Sequence, residues 1–199
     1  MRRPLIDAAV LLTAALLVGA CSPAPSTPAD SEQMVSERTA AMPAEANDTD
    51  VHFLGMMVPH HQQAIDMAEV LLASTVDDPE VRDLAERIRD GQQRENEQMN
   101  AWADEWGIDA DMTMHSRHIA NGMVSPGVFD SYAALEGEEL RTRFLELMHF
   151  HHAEVIAMTR DQVDNGGYAP LQEMAAEMVE VQTAEMREME HMYGGVPTP

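Results

Sequence analysis

One unit of sequence occurs twice in this chain, and nothing else in it constrains the fold as strongly. The first copy reads Phe53-Leu54-x-x-Met57-x-x-His60-His61-x-x-x-Ile65-x-Met67. The second reads Phe144-Leu145-x-x-Met148-x-x-His151-His152-x-x-x-Ile156-x-Met158, with every match offset by 91. A later stretch repeats too: Ala85, Gln92, Glu95 and Met99 are answered 90 positions on by Ala175, Gln182, Glu185 and Met189. Two long registers that differ by one residue are what a duplicated hairpin leaves when one connecting loop changes length.

Apolar residues in these stretches follow the helical period, and four helices are predicted. The first spans roughly 50–74 and contains Pro59, where a kink or a freed Gly55 carbonyl is expected. The second is capped by Asp78, carries Pro79 at its first position and ends at Gly107. The third spans roughly 138–164 and stops at Gly166-Gly167. The fourth spans roughly 169–192, with Pro170 in its first turn. Residues 107–137 form a long crossover with a short helix near 127–136. Short loops make each hairpin antiparallel. The expected fold is therefore all-α, a four-helix bundle of two repeated hairpins joined by a long crossover. The folded domain is placed at 49–193, followed by a tail, 194–199.

Residues 1–20 read as a signal peptide of the lipoprotein type. Arg2 and Arg3 precede a mostly apolar run, Leu5 to Val18, interrupted by Asp7. The run is shorter than the roughly 20 residues of a good membrane span. Val18-Gly19-Ala20-Cys21 resembles the lipobox of bacterial lipoproteins. The resemblance implies cleavage before Cys21 and lipid on its thiol, an anchor on the outer face of the cell membrane or in the periplasm. Residues 21–48, rich in Ser, Pro, Ala, Thr and acidic side chains, are expected to form a flexible tether.

At 100° per residue, His60 shares a face with Phe53, Met56, Met57, Ala64, Met67, Ala68 and Leu71. His61 lies on its flank, and Gln62, Asp66 and Glu69 fall opposite. The third helix repeats this with Phe144, Leu147, Met148, Val155 and Met158 around His151. Gln92 with Glu95, and Gln182 with Glu185, likewise fall on apolar stripes. Counting back from the hairpin turns puts these four within a turn of the His pairs. One polar layer of four His, two Gln and two Glu is therefore expected to cross the bundle. Buried polar groups must find partners or cost roughly 1–3 kcal/mol each.

Composition narrows the chemistry. The chain has 35 acidic and 12 basic residues and a net charge of −23, so it lacks the basic surface of a nucleic-acid binder. All 12 basic residues are Arg, which excludes P-loop and Schiff-base chemistry through Lys. The single Cys excludes a disulfide scaffold and Cys-based zinc or iron–sulfur sites. No Ser has a catalytic motif, and Glu188-x-x-His191 matches the di-iron pattern only once. What remains conspicuous is 17 Met and 9 His.

Two readings of the layer follow. It is architectural, Glu95 and Glu185 accepting from the imidazoles, or it holds a metal. Imidazole suits copper, zinc, iron and nickel, and thioether selects Cu(I) or Ag(I). The expected ligands are Met57, His60, His61, Met67, Met148, His151, His152 and Met158. Gln92, Glu95, Gln182 and Glu185 would orient them. Met112, Met114, His115, His118 and Met123 in the crossover form a second, more exposed candidate site. Met99, Met174, Met178 and Met189 are read as core, and His191 as facing solvent.

At these residues the sequence resembles domain-of-unknown-function family 305, which includes CopM-type periplasmic copper-binding proteins. The motifs are Met57-x-x-His60-His61-Gln62-x-Ala64-Ile65-x-Met67-Ala68, Gln92-x-x-Glu95, Trp102-x-x-x-Trp106-Gly107, Asn121-Gly122-Met123 and Met148-x-x-His151-His152-x-x-x-Ile156-x-Met158. The resemblance implies a ferritin-like four-helix bundle, export and, for some members, copper binding linked to metal resistance. In the second half Ala153 replaces Gln62, and Thr159 replaces Ala68. The expected function is that of an exported, lipid-anchored, non-enzymatic protein that sequesters or delivers copper, as Cu(I), with silver or zinc as further ions. The alternatives are an envelope protein whose layer is structural and whose partner is another protein, and a metal-dependent oxidase.

Overall fold

The computed structural model describes residues 42–108 and 122–198. Five helices lie among the described residues: α1 (Asp48–Ala73), α2 (Pro79–Glu105), α3 (Pro126–Ala133), α4 (Gly137–Asn165) and α5 (Ala169–Tyr193). There is no strand among the described residues. Residues 1–41, including Cys21, and crossover residues 109–121 lie outside the described part.

The helix starts follow the local chemistry. Asp78 accepts from the N–H groups of Glu80 and Val81, with Pro79 just inside α2. Ser125 caps α3 in the same way ahead of Pro126. α1 begins earlier than its apolar pattern, because Asn47 and Asp50 form a reciprocal capping box. The helix continues through Pro59, and the Asn96 side chain donates to the Val58 carbonyl from across the hairpin.

The Gly166-Gly167 stop does not rest on a left-handed glycine. Gly166 at the end of α4 has an ordinary φ of −61°, so no left-handed turn is made. Room is what matters: a Cβ on Gly167 would overlap the Glu45 carbonyl oxygen. The chain entering α1 passes against this turn, and Asp50 fastens the two together. Its buried carboxylate accepts from Asn47 N (2.8 Å), Gln162 Nε2 (2.6 Å), Gly167 N (2.9 Å) and Tyr168 N (3.2 Å).

These contacts fix the helix directions. The start of α1 meets the α4–α5 turn, so α1 and α4 are antiparallel. At the other end Arg141 of α4 donates to Asp78 at the start of α2 and to the Met192 carbonyl near the end of α5. α2 and α5 are therefore antiparallel too. The hairpin partners pack most closely, α1 against α4 comes next, and α2 against α5 is the loosest pair.

The core falls into two apolar clusters. One gathers Ala64, Met67, Leu71, Leu84, Ile88, Phe144 and Met148, with Tyr132 of α3. The other gathers Phe53, Met57, Met99, Trp106, Val155, Leu171 and Met178. Between them lie buried polar residues from all four long helices. Met99, Met178 and Met189 are buried, Met174 packs against the second cluster, and His191 is exposed.

Tyr132 pins α3 to the bundle. Its hydroxyl, fully buried, donates to the Met67 carbonyl at 2.6 Å, and burial pushes its ionisation far up. Tyr132→Phe keeps the ring and removes one buried hydrogen bond. It should lower stability by about 1 kcal/mol in urea denaturation. No change in the midpoint would mean that ring packing alone holds α3.

Candidate functional site

The histidines of both repeats point inward. His60 is 2% exposed, and His61, His151 and His152 are fully buried. Pairs at adjacent positions cannot both face one point on a helix, so each pair fans across the bundle interior. The His60 and His151 rings, from α1 and α4, are in contact, with centroids 3.6 Å apart and planes tilted by 32°. Their neighbours are each one step outward: His61 is 6.5 Å from His60, and His152 is 6.3 Å from His151. A carboxylate closes each end. His61 Nε2 lies 2.8 Å from Glu95 Oε2 on α2, and His152 Nε2 lies 2.9 Å from Glu185 Oε2 on α5. The result is one row across all four long helices: Glu95, His61, His60, His151, His152, Glu185.

Each carboxylate fixes a tautomer. A neutral imidazole donating from Nε2 carries its lone pair on Nδ1. The Nδ1 atoms of His61 and His152 are buried and have no hydrogen-bond partner among the described residues. The same holds for Oε1 of Gln92 and Gln182, which are 5% and 3% exposed. Unpartnered acceptors inside a bundle are uncommon and call for an explanation.

The sulfur candidates divide. Met57 and Met148, three residues before the His pairs, are fully buried on opposite sides of the row. Met67 and Met158 sit about two turns beyond it, Met67 buried and Met158 half-buried against the second cluster. Met112, Met114, His115 and His118 lie outside the described residues, and Met123 is half-buried. Among the described residues no three His, Cys, Asp or Glu side chains converge on a point that could hold an ion.

Sequence reasoning missed several polar groups. His149 pairs with Glu190 at 3.2 Å on the outer side of the second hairpin. Its counterpart in the first repeat is Val58, so the duplication carried no signal for it. Gln63 exchanges two hydrogen bonds with the backbone of Val124, at 2.9 and 2.7 Å. Gly122, at φ +85°, lies so close to Glu154 that a Cβ would overlap that side chain. Together they dock the end of the crossover one turn past His60 and His151. The repeat differences lie elsewhere. Gln62 and Ala153 are both exposed, and buried Thr159 satisfies its hydroxyl on the Val155 carbonyl.

Burial holds the His151 imidazole well below its ordinary value of 6.5, and neighbouring His152 and His61 push the same way. Its folded form thus refuses a proton that the unfolded chain accepts. Above about pH 6.5 both states are neutral and nothing is lost. Below it, stability falls by up to about 1.4 kcal/mol per pH unit until the depressed folded value is reached. Metal-free protein should therefore lose more stability between about pH 7 and 5 than His151→Gln does in parallel urea titrations. Superimposable pH profiles would contradict this.

Comparison with known proteins bears on what such a row can be. No protein of curated function matches the chain. Residues 50–193 match the family described as Domain of unknown function (DUF305). A DUF305 protein from Streptomyces coelicolor, described as secreted, superimposes with a TM-score of 0.69 at 27% identity. That match covers 79% of this chain and 99% of that one. A DUF305 fragment from Deinococcus radiodurans gives 0.68 at 31% identity, over 75% and 97%. CopM in its Cu(II)-bound form gives 0.63 at 30% identity, over 73% and 95%. CopM has also been seen with Cu(I) and with Ag. The match spans nearly the whole helical part, so the chain belongs to the DUF305 family.

Proposed function

We propose that this chain is an exported, lipid-anchored, non-enzymatic protein that binds copper, chiefly as Cu(I), for sequestration or delivery. The observation that carries the reading is the clamped histidine row. Carboxylates hold the Nε2 side of His61 and His152 and leave Nδ1 as a buried lone pair, the arrangement in which an outer carboxylate orients a metal-binding imidazole. Donors come here in pairs rather than as a four-ligand cage. Zinc asks for four ligands, whereas thioether and imidazole together suit Cu(I) and Ag(I). Met57 and Met148 are the nearest sulfurs along the two His helices. The Cu- and Ag-bound CopM structures support the choice of metal. Export and the lipid on Cys21 rest on residues 1–21, and the crossover donors Met112 to Met123 form a second candidate site.

A rival reading, a purely architectural layer, draws on the lack of a three-donor cluster among the described residues. Competition of the mature chain for Cu(I) against a chelator separates the two. Protons compete for imidazole and scarcely for thioether, so binding at the row should weaken steeply between about pH 7 and 5. A variant altered at Met112, Met114, His115, His118 and Met123 should keep that site. A flat pH profile, or loss of all copper in the crossover variant, would remove the row from the binding site.

A further inference from the structure

A row buried this completely needs a way in, and the described residues leave one. Apolar clusters cover it above and below along the bundle axis. On the α1–α4 side the His60 and His151 rings are in contact, and the crossover docks over them through Gln63, Val124 and Gly122. The α2–α5 side differs. Of the neighbouring long helices these pack most loosely, and a cavity of about 30 Å3 opens between them. A water needs about 10–15 Å3, so the space admits an ion stripped of most of its shell. The four layer residues Gln92, Glu95, Gln182 and Glu185 all line it. Both Gln side chains present there a buried carbonyl oxygen without a partner.

The duplication makes the cavity lopsided. Gly91 and Val181 are repeat equivalents, 90 apart, and both line it. A Cβ on Gly91 would meet nothing within 4 Å, so the missing side chain is space. Nothing in the helix itself asks for glycine, which is a far poorer helix former than Ala. Val181 is 51% exposed and stands over the opposite end. The carboxylates below follow suit: the Glu95 side chain is 24% exposed and that of Glu185 only 6%. Arg87 at the mouth is held by Asp83 and Glu188, which offset its charge.

We propose that the α2–α5 seam beside Gly91 is the port to the histidine row, and that a soft monovalent cation enters at its Glu95–His61 end. Glu95 receives the ion at the more exposed end, the Gln carbonyls replace lost water, and His61 is the first imidazole reached. The proposal rests on the copper reading for the identity of the ion but not for the existence of the port.

Gly91→Leu fills the space, and Gly55→Leu, at an α1 glycine whose Cβ also meets nothing, is the matched control. In apo protein, exchange of the His61 imidazole N–H with solvent, followed by 15N NMR, should slow at least about tenfold in Gly91→Leu and stay unchanged in Gly55→Leu. Cu(I) uptake from a chelator should slow likewise, with equilibrium affinity kept within about twofold. Val181→Gly, at an exposed position, should speed exchange at His152 and keeps the idea testable if Gly91→Leu does not fold. Unchanged exchange in folded Gly91→Leu, or in Val181→Gly, overturns the port. A protein that binds no Cu(I) while showing the expected exchange pattern overturns the copper reading alone.

Discussion

Replacing His60, His61, His151 and His152 together by Gln should lower Cu(I) affinity at least about a thousandfold, equivalent to about 4 kcal/mol. Glutamine keeps hydrogen-bonding capacity at each position but supplies no imidazole lone pair. Gln at 61 and 152 can still donate to Glu95 and Glu185, so the carboxylates are not stranded. Helix content by circular dichroism should therefore survive. If affinity persists and only the thermal midpoint falls, the row is architecture. Taking His61 and His152 alone divides the effect further, because in those two a carboxylate holds Nε2 and leaves a buried Nδ1 without a hydrogen bond.

The second large effect is structural. Asp50→Ala should destabilise the domain by about 3–5 kcal/mol. The carboxylate is fully buried and serves four donors, from Asn47, Gln162, Gly167 and Tyr168. Alanine leaves at least the Gln162 amide and two turn N–H groups without their acceptor. It also cuts the tie between the start of α1 and the α4–α5 turn, which holds the two repeats in register. Asp50→Asn should fall between, since an amide accepts at one oxygen only. A loss below about 1 kcal/mol in denaturant titration would show that water replaces the carboxylate without penalty.

Much of this molecule was legible in its sequence, for identifiable reasons. Pro79 after Asp78, and the apolar spacing around His60 and His151, are local signals that the structure follows closely. The duplication was stronger still, because it tied Gln92 and Glu95 to Gln182 and Glu185 before any packing was known. The residues that escaped are those whose partners are distant in sequence. Asp50 looks like an ordinary first-turn acid, and its role depends on residues more than 110 positions away. Asn96 and Gln162 are buried amides with no periodic signature. The contact of His60 with His151 follows from α1 and α4 being close neighbours while α2 and α5 stand apart, a choice no stripe of apolar residues specifies. The Gly166-Gly167 stop was placed correctly, but its cause, clearance for Glu45, cannot be read from the turn itself.

The two halves meet like with like, His60 on His151, with α1 and α4 running in opposite directions. An approximate two-fold axis therefore passes between those rings, at right angles to the helices. Counting then becomes a structural probe. A ligand on the axis is shared, and there is room for one per chain. A ligand off the axis, at the Glu95–His61 end, has an equivalent place at the Glu185–His152 end, and two are accommodated. A measured stoichiometry thus reports position, and a ratio that rises from one to two under forcing conditions would mark the unequal ends that Gly91 and Val181 create.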